Sequence, residues 1–204
     1  GRLRLAVARA SAAESKFAAE ACLCLFDVDR TLTGKQQMTD KCPGNLVQPG
    51  IFDNAFNGGD LTLSALGQGV RSTFCGGCYR GIVSAGGAGG PNEKAVLDRQ
   101  LRVGDLEPVW SGPSDIRSQY VIGCPNKQKA VCARGIVDWF ADAKGIFIPP
   151  EEVYFFDDFT GNTAGFAAQG FNARQVSCRS REGSLGFCGG QPWEVVREKG
   201  VKDC

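Results

Sequence analysis

Apolar residues come in short runs that close in polar, glycine-bearing turns, and these runs alternate with stretches of helical spacing. Residues 21–26 (ACLCLF) are the first run; Asp27, Asp29, Thr31 and Gly34 follow, which predicts a strand with polar side chains at its carboxyl end. Residues 79–84 (YRGIVS), 119–124 (QYVIGC), 153–156 (VYFF) and 173–178 (ARQVSC) repeat the pattern. Between them, residues 127–144 place Val131, Ile136, Val137 and Phe140 near a period of 3.6, so a long amphipathic helix stopped by Gly145 is expected. Shorter helices are expected from Pro91, over 161–169, and over 9–20, where Ser11 and Glu14 occupy capping-box positions. Strands alternating with helices predict an α/β fold whose mostly parallel sheet is flanked by helices on both faces.

Two stretches depart from this alternation. Over 35–59, Pro43-Gly44, Pro49-Gly50 and Asn57-Gly58-Gly59 read as turns, and 60–70 then carries apolar positions at helical spacing. Residues 34–78 therefore read as an insertion between the first two strands. The Cys- and Gly-rich segment 179–204 reads as irregular, apart from a short charged helix near 193–199. Neither a repeat nor a linker divides the chain, so a single domain is expected, with its core at 21–33 and 79–178.

Charge and composition exclude several classes. The 23 basic and 22 acidic residues leave a net charge of +1, scattered along the chain, which argues against nucleic acid or anionic membrane as the main partner. No apolar run approaches the ~20 residues of a membrane span. Histidine is absent, which removes Ser-His-Asp and Cys-His nucleophiles and His-ligated zinc.

Among ten cysteines, Cys75-Gly-Gly-Cys78 is the one CxxC. Its neighbours read as turn and strand rather than the helix N-terminus a redox thiolate requires, and zinc would need dispersed thiols, so a structural bridge or inert thiols are expected. Cys22 and Cys24 alternate within the first strand and read as small buried apolar residues. The chain begins at Gly1 and its one methionine is Met38, so a processed start or a fragment is expected. The Arg- and Ala-rich, acid-free residues 1–10 resemble the end of a transit sequence, giving the expectation of a soluble protein of plastid or mitochondrion.

Two acidic pairs, Asp27/Asp29 and Asp157/Asp158, each follow an apolar strand, and in an open α/β sheet the carboxyl ends of strands share one crevice. Carboxylates gathered there repel one another unless a cation intervenes, and an all-oxygen set suits Mg²⁺.

The run from Leu25 to Thr33 (LFDVDRTLT) resembles the DxDx[TV] signature of the haloacid dehalogenase-like (HAD) phosphohydrolase superfamily. Ser84, ending Gly81-Ile82-Val83-Ser84, resembles that family's second motif, Lys127 or Lys129 its third, and Phe155-Phe156-Asp157-Asp158-Phe159-Thr160-Gly161-Asn162 its fourth. The resemblance spans about residues 21–178. It implies a Rossmann-like fold with a small cap at 34–78 and a Mg²⁺-dependent phosphomonoester hydrolase acting on a phosphorylated small molecule or a phosphoprotein. By the same resemblance, Asp27 is the nucleophile and Asp29 the general acid and base. Thr31, Ser84 and Lys127 or Lys129 bind phosphate, and Asp27, Asp29, Asp158, Asp157 and Asn162 surround the metal.

Two positions depart from the family's pattern. Arg30 stands where Gly is most frequent, and its guanidinium is expected to bind phosphate or to hold Asp29 in an ion pair. Asn162 replaces a third acid of the metal shell and lowers its charge. A HAD-like domain without turnover, serving as a structural or accessory subunit of a larger assembly, is the alternative. Retention of Asp27, Asp29, Thr31 and Asp158 in one cleft argues for chemistry, because a scaffold gains nothing from mutually repelling groups.

Overall fold

In strand β1 (Leu23–Phe26) the side chains alternate between two cores, Cys24 and Phe26 facing one and Leu23 and Leu25 the other, so the strand is buried on both sides. The computed structural model describes residues 21–106 and 109–204. The helix expected over 9–20 and the transit-like residues 1–10 lie outside the described residues.

After β1 the chain forms β2 (Leu46–Asp53), β3 (Gly59–Leu63), α1 (Ala65–Gly69), β4 (Tyr79–Val83), α2 (Pro91–Leu101), β5 (Trp110–Ser111) and β6 (Tyr120–Val121). Then come α3 (Lys129–Lys144), β7 (Val153–Asp157), α4 (Thr160–Thr163), β8 (Asn172–Gln175), β9 (Arg181–Glu182), β10 (Leu185–Gly186) and β11 (Val201–Lys202). Seven strands make one sheet in the order β11-β8-β7-β1-β4-β6-β5, and every neighbouring pair is parallel. From β1 the chain passes to β4, then to the edge strand β5 and back to β6 between them, and finally crosses to β7 on β1's other side. This reversal opens a crevice at the carboxyl ends of β1, β4 and β7.

Helices cover both faces, as the alternation predicts. Val96, Leu97 and Leu101 of α2 pack in one core with Phe26 and Tyr120, and Ala133, Ile136 and Phe140 of α3 pack in the other with Leu25 and Phe155. Helix α3 ends at Gly145, whose φ of +65° is the left-handed stop that the sequence signals.

The insertion differs from the expected turns followed by a helix. It is an antiparallel hairpin, β2 with β3, and only residues 65–69 of the expected 60–70 helix are helical. Pro49-Gly50, which reads as a turn, is a bulge inside β2: the register shifts between Gln48 and Phe52, and Gly50 takes a φ of +77°. Ser64 caps α1 by accepting from Gly67 N (2.9 Å) and donates to Thr31 O (2.8 Å), which fastens the insertion to the loop after β1.

The tail is likewise more ordered than expected. Residues 181–186 form the β9–β10 hairpin, Pro192–Glu194 is a single 3₁₀ turn where a charged helix is expected, and β11 extends the sheet beside β8. The strand expected over 119–124 is reduced to Tyr120–Val121, and the helix expected over 161–169 to α4 and a 3₁₀ turn at Ala167–Gln169.

All ten cysteines are bridged: Cys22–Cys78, Cys24–Cys75, Cys42–Cys188, Cys124–Cys132 and Cys178–Cys204. The CxxC cysteines do not pair with each other. Cys22 and Cys24 share a face of the extended chain, while Cys75 and Cys78, three residues apart at a 3₁₀ turn, present their sulfurs on one side of it. Thus Cys22 and Cys24 are bridge partners rather than apolar filling, and no thiol remains for zinc or redox chemistry. Among the described residues, no helix is long and apolar enough to cross a membrane.

Candidate functional site

Asp27 follows β1 directly, and its amide donates to Phe156 O at 2.9 Å, so the β1–β7 register runs past the strand end and brings Asp27 level with Asp157. Opposite them stands Lys129, the first residue of α3, only 1% exposed. Its Nζ lies 2.6 Å from Asp27 Oδ1 and 2.8 Å from Asp157 Oδ2. A helix N-terminus disfavours a cation, and burial alone would pull the lysine's pKa down. Asp27 and Asp157 reverse both effects, raise that pKa above its ordinary value and keep the ammonium charged.

Asp157 is fully engaged, its Oδ1 accepting from Phe159 N (2.8 Å) and its Oδ2 from Asn162 Nδ2 (2.9 Å) as well as from Lys129. Asp158 reaches the other way. Its Oδ2 accepts from Gly186 N at 2.5 Å, and its backbone carbonyl accepts from Gln175 Nε2 (3.0 Å) and Arg181 Nη1 (2.8 Å). The tail thereby orients the second aspartate of the pair.

Asp27, Asp157 and Asp158 each offer a carboxylate oxygen, and the three oxygens lie within 4.8 Å of one another. Three buried acids face a single ammonium. Burial, followed by Asp157, pushes Asp27 well above the usual carboxylate range against the pull of Lys129. The same two causes raise Asp158 to about 6. An all-oxygen, net-negative cluster of this kind fits a hard divalent cation, which would relieve the repulsion that the lysine only partly offsets.

Asp29 is half-buried and its carboxylate takes part in no hydrogen bond among the described residues; burial, then Asp53, raises it to about 6. A Cβ built on Gly86 would stand 3.5 Å from Asp29 Oδ2 and 3.9 Å from Ser84 Oγ, so Asp29 and Ser84 border the same glycine-rich loop. The hydroxyls of Ser84 and Thr31 are buried and have no partner among the described residues. Such groups are costly unless a ligand or water satisfies them.

Three of the expected residues have other positions or contacts. Lys127 is exposed at φ +66° and contributes only its backbone N–H, given to Asn162 Oδ1 at 3.0 Å; Lys129 is the lysine of the cluster. Asn162 uses its carbonyl oxygen for that bond and its NH₂ for Asp157, so it braces the cluster. Arg30 forms no ion pair with Asp29 among the described residues. Its backbone holds φ +61°, a conformation natural to Gly, and its guanidinium donates to Gly186 O (3.0 Å), pairs with Glu182 (3.2 Å) and stacks on Phe56 (4.3 Å).

Two acids escape sequence reading altogether. Asp53 ends β2 and accepts from Gln36 Nε2 (2.7 Å) and Ala55 N (2.8 Å). Glu93, in the first turn of α2, is 1% exposed with both carboxylate oxygens unpartnered, and burial, then Asp53 and Asp29, raises it to about 8. Nothing in the local sequence marks either residue. Their proximity to the Asp27 loop follows from the hairpin packing on α2.

No family model, curated protein or solved structure matches this chain. Its function is therefore argued from the cluster itself.

Proposed function

We propose that the chain is a Rossmann-like HAD phosphohydrolase that cleaves phosphomonoesters with Mg²⁺ through an aspartyl-phosphate on Asp27. The observation that carries this reading is the convergence of Asp27, Asp157 and Asp158 at the switch point of the sheet, with Lys129 ion-paired to Asp27 and Asp157. Of the residues of the HAD-like resemblance, Asp27, Lys129, Asp157 and Asp158 make up the cluster, and Asp29 and Ser84 meet beside Gly86, which supports the reading. Strand order around β1 supports the same reading.

An Asp27 oxygen attacks phosphorus as the bond to the leaving oxygen breaks, and Asp29, whose carboxyl is not tied by any hydrogen bond, gives that oxygen its proton. Water then attacks the phosphoaspartate. Asp29 takes the water's proton, the acyl phosphate P–O bond breaks, and phosphate departs with Asp27 regenerated. Asp27 and Asp158 would hold the Mg²⁺, whose positive charge would let the anionic nucleophile and phosphate approach each other. Ser84 Oγ and Thr31 Oγ1 donate to phosphoryl oxygens, which gives both orphaned hydroxyls a partner. Lys129 orients Asp27, Asn162 and Phe159 N fix Asp157, and Gly186 N fixes Asp158. Arg30, turned toward Glu182 and Gly186, leaves Asp29 free to exchange protons.

The five bridges support an oxidising compartment for this activity, since disulfides are rare in proteins of reducing compartments.

The deciding experiment is hydrolysis of para-nitrophenyl phosphate with and without Mg²⁺ by wild type and Asp27→Asn. Activity that needs Mg²⁺ and falls at least ~10³-fold in the variant is expected. Equal rates would exclude the nucleophile. If wild type is inactive, beryllium fluoride binding at Asp27 is the second readout, and its failure leaves the structural-subunit alternative.

A further inference from the structure

The Cys42–Cys188 bridge joins the insertion to the tail and frames a cleft of about 390 Å³, within the size range of small-ligand pockets. None of the aspartates of the catalytic cluster lines it. Its walls are held in place from several directions. Glu194 accepts from Ser177 N (2.9 Å), Cys178 N (2.8 Å) and Gln191 N (2.8 Å), so the one acid lining the cleft has both oxygens occupied. Asn45 Nδ2 donates to Cys188 O at 2.9 Å across the bridge. Ser177 keeps a left-handed backbone at φ +62°, a conformation that persists only where the surroundings enforce it.

Besides Asn45 Oδ1, which is buried without a partner among the described residues, two cations of the lining are left uncommitted. Lys41 and Arg179 are exposed and, among the described residues, neither has an ion-pair partner. Trp193 is 58% exposed, and the Arg179 guanidinium lies 5.8 Å from its ring centre. An indole with that much exposed surface gains from a stacking partner, and two cations that lack an ion-pair partner among the described residues, with no competing carboxylate, favour an anion.

We infer that this cleft binds a nucleoside monophosphate, its base stacked on Trp193 and its phosphate set between Lys41 and Arg179. The volume accommodates a base and a ribose phosphate together, whereas a bare phosphate would leave Trp193 uncovered. The site is separate from the aspartate cluster, so its occupancy does not depend on the proposed hydrolysis.

The test uses the whole, oxidised chain carrying Asp27→Asn and a chelator, so that AMP is neither hydrolysed nor held by metal. AMP, adenosine and inorganic phosphate are titrated by calorimetry. AMP is expected to bind at least about tenfold tighter than adenosine or phosphate, and Trp193→Ala to weaken it about tenfold or more, the range measured for base–aromatic stacking. Trp193→Phe should restore most of that loss, and Lys41→Ala with Arg179→Ala should abolish the preference for AMP over adenosine. Both side chains are exposed, so unchanged circular dichroism will show these variants folded. AMP binding that survives all the substitutions reports the aspartate cleft and overturns the assignment, as does phosphate binding equal to AMP or no heat from AMP at millimolar concentration.

Discussion

Lys129 Nζ stands 2.6 Å from Asp27 Oδ1, with the lysine 1% and the aspartate 7% exposed. The pair is completed by Asp157, so the ammonium is shared between two buried acids. Lys129→Met would leave both without a counter-charge. We expect a loss of about 3–5 kcal/mol in urea unfolding, the range for breaking a buried ion pair from one side. Lys129→Met combined with Asp157→Asn should recover part of that loss, because one of the stranded charges is then gone. A single variant as stable as wild type would refute the clamp.

Ser84 separates stability from activity. Its hydroxyl is buried with no partner, so Ser84→Ala removes an unsatisfied polar atom and should leave the free protein equally stable or about 1 kcal/mol more stable. The same change is expected to lower kcat/KM for an aryl phosphate by about 10²-fold, the size of losing one donor to developing charge. Lower stability with an unchanged rate would place the hydroxyl in packing alone.

Glu93 predicts the direction of a pH dependence. Its pKa is raised in the folded state from an ordinary 4.5 to about 8, by burial first and then by Asp53 on the hairpin and Asp29 on the loop after β1, with Lys94 on its own helix opposing. Between those values the folded chain holds a proton that the unfolded chain has released. Glu93's contribution to stability is therefore full below about pH 4.5 and is lost as pH rises through about 8. Thermal melts should show Glu93→Gln gaining on wild type from pH 5 to pH 9; parallel profiles would contradict this.

The bridges at β1 should add to resistance against unfolding, beside Cys42–Cys188, which closes the longer loop of 146 residues. Cys24–Cys75 spans 51 residues, and closing a loop of that size is worth about 4 kcal/mol in the chain-entropy treatment. Alkylation under denaturing conditions without reductant should label none of the ten cysteines and label all of them after reduction. Cys24→Ala with Cys75→Ala should lower the melting temperature markedly while leaving the other bridges intact. Free thiols in the native protein would contradict the pairing.

Residues 21–26 show what was legible beforehand and why. A strand's alternation and the polar residues that close it are local properties, so β1, β4, β7, α3 and the stop at Gly145 were readable, as was the placement of acids at strand ends. The hairpin was not. Pro49-Gly50 has the composition of a turn, and only pairing with β3 turns it into a bulge. The tail was missed for a related reason: β9, β10 and β11 are two-residue strands, too short for any period to register, and β11 exists because β8 offers an open edge.

The sequence by itself determined the alternating α/β order, the exclusion of histidine chemistry and the acids Asp27, Asp29, Asp157 and Asp158, since these depend on residue type and on spacing within one turn or strand. Only the tertiary structure decided that Lys129 rather than Lys127 faces Asp27, that Arg30 turns to Glu182, that Asn162 braces Asp157, and which cysteines pair. Local periodicity acts over a few residues. Except for Asn162 with Asp157, five residues apart, and the Cys124–Cys132 bridge, these contacts join segments tens of residues apart, which sheet order and register bring within reach.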